Sequence, residues 1–233
     1  MKFEGEIMRV IGIVGFQGSG KTYLGVEIAK ELTSRGYKVS AVKHTRGVLD
    51  FPKKDTTQYK KYCEQVIAVS RTETVKFFKN GQNLEAIVQL LKSDFVIIEG
   101  FKENKTFPRI ICLRESREEY SDDLQIATII KDKLTQKKIK ELCNLIEKKA
   151  FKLPGLNCRK CGFSSCYGLA KEIVKGKKTV EDCQSMKEEI SVLINGQRIF
   201  LNPFVGKIFK GTIQCFLNNL RGFKSGEVEI KIK

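Results

Sequence analysis

The sequence predicts an α/β fold, a mostly parallel sheet flanked by helices, followed by a small α+β region that carries cysteines. Three observations predict it. Short β-branched runs alternate with helical spacing through residues 1–150, the run FVII at 95–98 is apolar throughout, and four of the eight cysteines crowd into residues 158–183. Alternation of strands and helices implies a parallel sheet, and a wholly apolar strand is one buried on both faces.

Taken in order, Arg9–Val14 (RVIGIV) reads as the first strand and ends in a glycine-rich turn. Residues Thr22–Leu32 then switch to helical spacing, with Leu24, Ile28 and Leu32 recurring every fourth residue and Gly36 closing the helix. Lys38–Val42, Val66–Val69 and Thr74–Phe78 read as strands, with a polar loop between the first two of them. Asn83 caps a helix through Leu91, Phe95–Ile98 is the apolar strand, and Pro108–Leu113 and Ile126–Ile130 are further strands. A lysine-rich amphipathic helix, Leu134–Lys149, ends a first domain of residues 1–150. Leu153–Leu156 is a turn-forming connector into a cysteine domain, residues 151–189. A C-terminal extension, residues 190–233, holds a hairpin around Asn195-Gly196, a helix opened by Asn202-Pro203 and a last strand at Glu227–Lys233. Val205, Phe209, Ile213, Phe216 and Leu220 mark that helix's buried face.

Composition narrows the class. Hydrophobic residues make up 41 % of the 233, which supplies a core and excludes a disordered chain. No run approaches the roughly 20 apolar residues that span a membrane. The first residues, Met1–Glu6, lack a basic segment followed by an apolar one, so a cytoplasmic protein is expected. The net charge of +16 divides evenly between residues 1–150 and 151–233 and is interspersed with Asp and Glu. That pattern is a solvated basic surface attractive to nucleotides and pterin phosphates, and it argues against a nucleic-acid partner. Cys63, Cys112 and Cys143 are scattered and read as core filler, and Cys215 lies alone in a late helix.

The chemistry is written most clearly at Gly15-Phe-Gln-Gly-Ser-Gly-Lys-Thr22, a complete G-x-x-x-x-G-K-[ST] pattern placed between a strand and a helix. Gly15, Gly18 and Gly20 let the backbone curl so that the N–H groups of Gln17, Ser19 and their neighbours face inward as an anion cradle at a helix N-terminus. Lys21 would meet the β- and γ-phosphates and Thr22 would offer its hydroxyl to Mg²⁺. The first domain is therefore expected to be a P-loop NTPase. Glu99, ending the apolar strand, is the natural acidic partner for Mg²⁺ or for attacking water, since functional groups gather at the carboxyl edge of such sheets. Asp50 and Asp55 are further magnesium candidates. His44, the only histidine, either fixes its loop by hydrogen bonds or transfers a proton, and Lys43 beside it can neutralise a phosphate.

The order Gly15–Thr22, Val42-Lys43-His44, Asp50-x4-Asp55-Thr56, Val96-Ile-Ile-Glu-Gly-Phe-Lys102 and Pro108-Arg109-Ile110 resembles the MobB family of molybdopterin-guanine dinucleotide biosynthesis proteins over most of residues 8–150. The resemblance implies a homodimeric GTP-binding protein with weak GTPase activity, for which Lys21 and Glu99, read from the loop and the strand end, are the candidate catalytic groups. It also implies a role as adaptor to MobA, the guanylyltransferase that attaches GMP to molybdopterin. No Asn-Lys-x-Asp guanine reader is present, and Asp132, after the strand at 126–130, is the candidate for the base. The glycine that the family carries before the lysine preceding Asp55 is replaced by Lys53. Phe16 stands where the partition and iron-sulfur carrier ATPases have a lysine.

Cys158-x2-Cys161-x4-Cys166-x16-Cys183 supplies four soft ligands, enough for a [4Fe–4S] cluster or a tetrathiolate Zn²⁺. Three close ligands and one remote, with Cys166 in the first turn of a helix over residues 165–175, suit the cuboidal cluster better than paired zinc knuckles. The stretch Cys158–Ala170 with Gly176 and Asp182-Cys183 is similar to the four-cysteine [4Fe–4S] domain of the corrinoid iron-sulfur protein and of electron-transfer subunits. Together these readings give a Mg·GTP-binding accessory factor for molybdenum or tungsten cofactor maturation with an iron-sulfur region. An ATP-dependent metallocluster carrier is the alternative.

Overall fold

The structure, a computed structural model, describes residues 8–45, 47, 49, 55–187, 190, 192–194, 197–222, 226, 228 and 230. Five parallel strands form the central sheet: β1 (Arg9–Gly15), β2 (Val39–Lys43), β5 (Phe95–Glu99), β6 (Arg109–Leu113) and β7 (Gln125–Ile130), in the order β2-β5-β1-β6-β7. Between β2 and β5 lie α2 (Asp55–Tyr59), an antiparallel hairpin of β3 (Gln65–Val69) and β4 (Thr74–Phe78), and α3 (Leu84–Gln89). The hairpin stands outside the main sheet, and its strands pair antiparallel because four residues, 70–73, cannot make the crossover that parallel pairing requires. Part of the loop expected to be irregular is thus the short helix α2.

Strand alternation sorts the core. Ile11 and Ile13 of β1 with Phe95 and Ile97 of β5 face α1 (Lys21–Ser34) and α4 (Gln136–Lys149), where Leu24, Ile28, Ile139 and Ile146 bury against them. Val10, Val96 and Ile98 point the other way, onto Leu84 and Val88 of α3 and onto Phe107. The FVII strand is therefore buried on both faces, as expected. Helix α1 ends as its sequence predicts: Gly36 is left-handed at φ 87, Tyr37 N–H donates to Leu32 O and Gly36 N–H to Thr33 O, the paired bonds of a Schellman cap. Arg35, just beyond, holds α1 to α4 through Glu31, Glu147 and Asn144.

The cysteine region begins where a linker is expected, but its first residues are anchored. Phe151 and Leu153 are buried with Leu124 from the β6–β7 connection and with Leu169, Ala170 and Cys183. Leu153 N–H donates to Thr106 O, and the Tyr167 hydroxyl donates to Asp123 at 2.7 Å, a bond that pushes the phenol up to about 12. Leu124 therefore belongs to a core that residues on both sides of position 150 share. Its truncation to alanine should cost about 2–5 kcal/mol of stability. Urea melts followed both at the tyrosines and by far-ultraviolet circular dichroism should shift together, and an unchanged midpoint would show that the shared core carries no stability.

After α5 (Cys166–Val174), two short 3-10 turns, Val180–Asp182 and Gln184–Met186, flank Cys183. Strands β8 (Val192–Ile194) and β9 (Gln197–Ile199) pair as the expected hairpin, whose Asn195-Gly196 tip lies outside the described residues. The strand expected at 227–233 also falls almost wholly outside them. Helix α6 (Pro203–Asn218) is capped as predicted, Asn202 Oδ1 accepting from the N–H groups of Phe204 and Val205. Its expected buried face is corrected: Phe209, Phe216 and Leu220 are 46 %, 73 % and 60 % exposed, while Val205 and Ile213 are half-buried. Helical spacing defines an apolar stripe without supplying a partner for it. Cys215, on the same helix, is exposed and Cys63 half-buried, so only Cys112 and Cys143 of the scattered cysteines fill the core.

Candidate nucleotide and iron-sulfur sites

The loop between β1 and α1 is shaped by its glycines. Gly15 sits at φ 152, where a Cβ would stand 2.0 Å from Cys112 O; Gly20, at φ 83, packs against the Lys131 side chain. Lys21 Nζ donates to Phe16 O at 2.6 Å, closing the loop into a ring at the N-terminus of α1. Ser19 is fully buried with its Oγ unpartnered among the described residues, and its carbonyl accepts from the Cys112 thiol at 2.7 Å. Burial pushes that thiol up, which keeps it a neutral donor. Gln17 and Gly18 are exposed at the mouth.

Strand register brings the acidic partner to the same lip. Glu99 pairs with Ile13 on one side and with Lys43 on the other, all at the carboxyl edge of the sheet. Thr22 Oγ1 donates to Glu99 Oε2 at 2.9 Å and accepts from Lys43 Nζ at 2.8 Å, while Lys43 Nζ lies 3.2 Å from Glu99 Oε1. A hydroxyl and a carboxylate converging beside a phosphate cradle are the hard oxygen donors that Mg²⁺ takes, so these two residues fit the ion. Behind Glu99, Gly100 and Phe101 are both left-handed, at φ 95 and 49. The His44 ring packs at a tilt against Phe101 with centroids 5.0 Å apart, and the His44 backbone N–H donates to Glu99 O. His44 thus packs behind the turn that follows Glu99.

Of the remaining predicted residues, Asp132 lies in the 3-10 turn Lys131–Lys133 after β7, exposed and next in sequence to the lysine that packs on Gly20. Asp55 opens α2, exposed, and among the described residues no hydrogen bond or ion pair links it to Thr22 or Glu99. Asp50 lies outside the described residues. Sequence reasoning missed the basic cage of Phe16: Tyr120 packs edge-on at 5.8 Å, with the Arg114 guanidinium 5.6 Å and the Lys102 ammonium 6.0 Å from the ring. Position 114, just past the end of a predicted strand, was the available signal.

Cys158, Cys161, Cys166 and Cys183 line one pocket with Pro154, Leu156 and Leu169. They surround it without converging on a point: among the described residues no group of three or more His, Cys, Asp or Glu side chains is placed around a single metal ion. Four thiols on the wall of one pocket are the soft donor set that an iron-sulfur cluster takes. The backbone fits an anionic group too. Gly155, Asn157, Arg159 and Gly162 are left-handed, and Asn157 N–H donates to Cys166 Sγ at 3.4 Å. Cys166 is the first residue of α5, where the helix dipole favours negative charge. Ser185 Oγ lies 3.3 Å from Cys158 Sγ, and burial pushes the Cys183 thiol up to about 11, so metal loading must displace its proton.

The profile of the family described as "Molybdopterin guanine dinucleotide synthesis protein B" (MobB) matches residues 10–132. A relative from Methanocaldococcus jannaschii, named "Putative molybdopterin-guanine dinucleotide biosynthesis adapter protein", is 33 % identical over 237 residues, covering 97 % of this chain and 98 % of its own. The chain belongs to the MobB family. A Bacillus subtilis relative, a "Probable molybdopterin-guanine dinucleotide biosynthesis adapter protein", is 30 % identical over 130 residues, 52 % of this chain and 73 % of that protein. A solved MobB homologue from Bacillus stearothermophilus aligns with 61 % of this chain and 100 % of that chain at 18 % identity and a TM-score of 0.44. Residues 153–185 match a second family, described as "Putative Fe-S cluster". In this MobB-family chain that segment contains all four cysteines of the pocket. Among the described residues no helix is long and apolar enough to cross a membrane.

Proposed function

We propose that this MobB-family protein binds Mg·GTP at Gly15–Thr22, hydrolyses it slowly, and acts as an adaptor to a MobA-like guanylyltransferase in molybdenum or tungsten cofactor biosynthesis. The observation that carries the reading is the Thr22–Glu99 oxygen pair, 2.9 Å apart at the lip of a glycine cradle. On nucleotide entry the amides of Gln17–Thr22 receive the phosphate oxygens, and Lys21 exchanges the Phe16 carbonyl for them. Thr22 and Glu99 would hold Mg²⁺, which supplies neutralisation of phosphate charge. Glu99 would also orient the attacking water, and Asp132 would read the base. Asp50 or Asp55 would complete the magnesium site.

Cys158, Cys161, Cys166 and Cys183 would hold a [4Fe–4S] cluster, which supplies one-electron chemistry or a docking mark for the target. The two curated relatives quoted above are both named as adapter proteins of this pathway, and one is similar over nearly the whole chain, cysteine region included. Homodimerisation and a reducing cytoplasmic setting complete the proposal. The test is an anaerobic calorimetric titration of the cluster-loaded protein with Mg·GTP and with Mg·ATP under identical conditions. GTP should bind at least about tenfold more tightly, a difference of roughly 1.4 kcal/mol. A preference for ATP would overturn the guanine-nucleotide reading and favour an ATP-dependent cluster carrier.

A further inference from the structure

We propose that Lys43 is a positioning residue that serves as the built-in counter-cation of the magnesium site, holding Thr22 and Glu99 in place until the metal–nucleotide complex displaces it. The proposal rests on the reading of the glycine loop as a nucleotide site. Its evidence is a closed triangle. Lys43 Nζ is 2.8 Å from Thr22 Oγ1 and 3.2 Å from Glu99 Oε1, and those two residues are 2.9 Å from each other. The ammonium therefore touches both residues that fit Mg²⁺.

Each contact has a cause in the fold. Parallel pairing of β2 with β5 sets Lys43 directly beside Glu99, and the next residue, His44, is tied to Glu99 O through its N–H. The backbone of β2 thus cannot slide away from the site. The Lys43 side chain is 55 % exposed, so its ammonium keeps a free path out of the triangle. The Thr22 hydroxyl spends its proton on Glu99 and offers a lone pair to Lys43. That lone pair is the one a metal would take, so lysine and metal compete for the same oxygen. A strongly hydrated point charge on a flexible stem suits this exchange better than the planar fork of arginine.

Without Lys43, Glu99 would face an incoming triphosphate with its charge uncompensated. The consequence is a specific dependence on magnesium. In wild-type protein, Lys43 offsets the Glu99 charge when magnesium is scarce, so nucleotide still binds in chelator. In Lys43→Met, affinity in chelator should fall at least about tenfold, one 1.4 kcal/mol step, while affinity at saturating magnesium stays within about threefold of wild type.

The experiment is equilibrium binding of GTP, with ATP in parallel, to the full-length wild type, Lys43→Met and Lys43→Arg, each in EDTA and in excess MgCl₂. Lys43→Arg, which keeps the charge, should recover most of the affinity lost in chelator. Equal losses in both buffers would make Lys43 an ordinary phosphate contact and overturn the proposal, as would no loss in either. Failure of the wild type to bind either nucleotide in either buffer would instead remove the nucleotide reading itself, and this inference with it.

Discussion

Gly15→Ala is expected to abolish detectable nucleotide binding and to destabilise the whole domain. The added Cβ would lie 2.0 Å from Cys112 O and 2.9 Å from Ser19 Oγ. Neither neighbour can retreat. Cys112 is the register partner of Gly15 in the β1–β6 ladder, and Ser19 is fully buried beneath the loop. The backbone at φ 152 is also costly for any residue with a side chain. Overpacking and backbone strain together should cost about 2–5 kcal/mol, a large part of the 5–15 kcal/mol or so that holds a typical domain together. Gly18→Ala is the internal control: its φ of 77 brings strain, but no atom lies within 4 Å of the new methyl. Calorimetric titration and urea melts should therefore rank wild type, Gly18→Ala and Gly15→Ala in that order. Wild-type affinity in Gly15→Ala would show that the loop tolerates a different shape.

Asp122→Asn should be nearly as damaging, although it lies away from both sites. Arg109 opens β6 with its side chain fully buried, its guanidinium paired with Asp122 and donating to the carbonyls of Lys102 and Asn104. Asp122 is itself 3 % exposed and accepts from the N–H of Leu124. Neutralising it leaves a buried cation without its counter-charge, a change that typically costs about 3–5 kcal/mol. Because the pair is buried, the loss should persist in high salt, unlike that of a surface pair. Arg109→Met combined with Asp122→Asn should recover part of the stability, since the uncompensated charge is gone. Thermal or urea unfolding of the two single variants and the double variant gives the coupling directly, and strictly additive losses would show that the two groups do not act as a pair.

The consequence reaches further because of what flanks this pair. Tyr120, two residues before Asp122, packs on Phe16 of the glycine loop, and Asp123 and Leu124, just after it, hold Tyr167 and the buried wall of the cysteine region. One segment thus touches both candidate sites. Removing its anchor should lower nucleotide affinity and cluster retention together, whereas a defect in only one would show that the two ends of the segment move independently.

Particular residues show how much was legible beforehand. Residues 15–22 are legible as a glycine cradle because such a loop is local: eight consecutive residues, a strand before and a helix after. Glu99 was legible because it ends the most apolar strand. The four cysteines were legible as a set because thiols at that spacing have few other uses. In the sequence, Lys43 stands only as a neighbour of the phosphate site. Its bridging of Thr22 and Glu99 depends on β2 lying beside β5, a pairing between segments about 56 residues apart that no local pattern encodes. Arg109 stands in a motif, but an arginine buried in a strand is intelligible only once Asp122 and two loop carbonyls are seen around it.

The outcome at α6 makes the same point in reverse. Its cap and proline fixed where it begins, because Asn202 and Pro203 act within one turn of chain. Its apolar stripe did not decide its burial, since burial needs a second surface. By itself, then, the sequence determined the class of fold, the glycine loop, the acidic strand end and the membership of the cysteine set, all features written within short stretches of chain. Only the tertiary structure decided that β3 and β4 leave the main sheet, that Leu124, Phe151 and Leu153 share one core, and that Lys43 closes on Thr22 and Glu99. Those arrangements follow from which distant segments bury the most apolar surface while pairing their backbones, a balance struck over the whole chain at once.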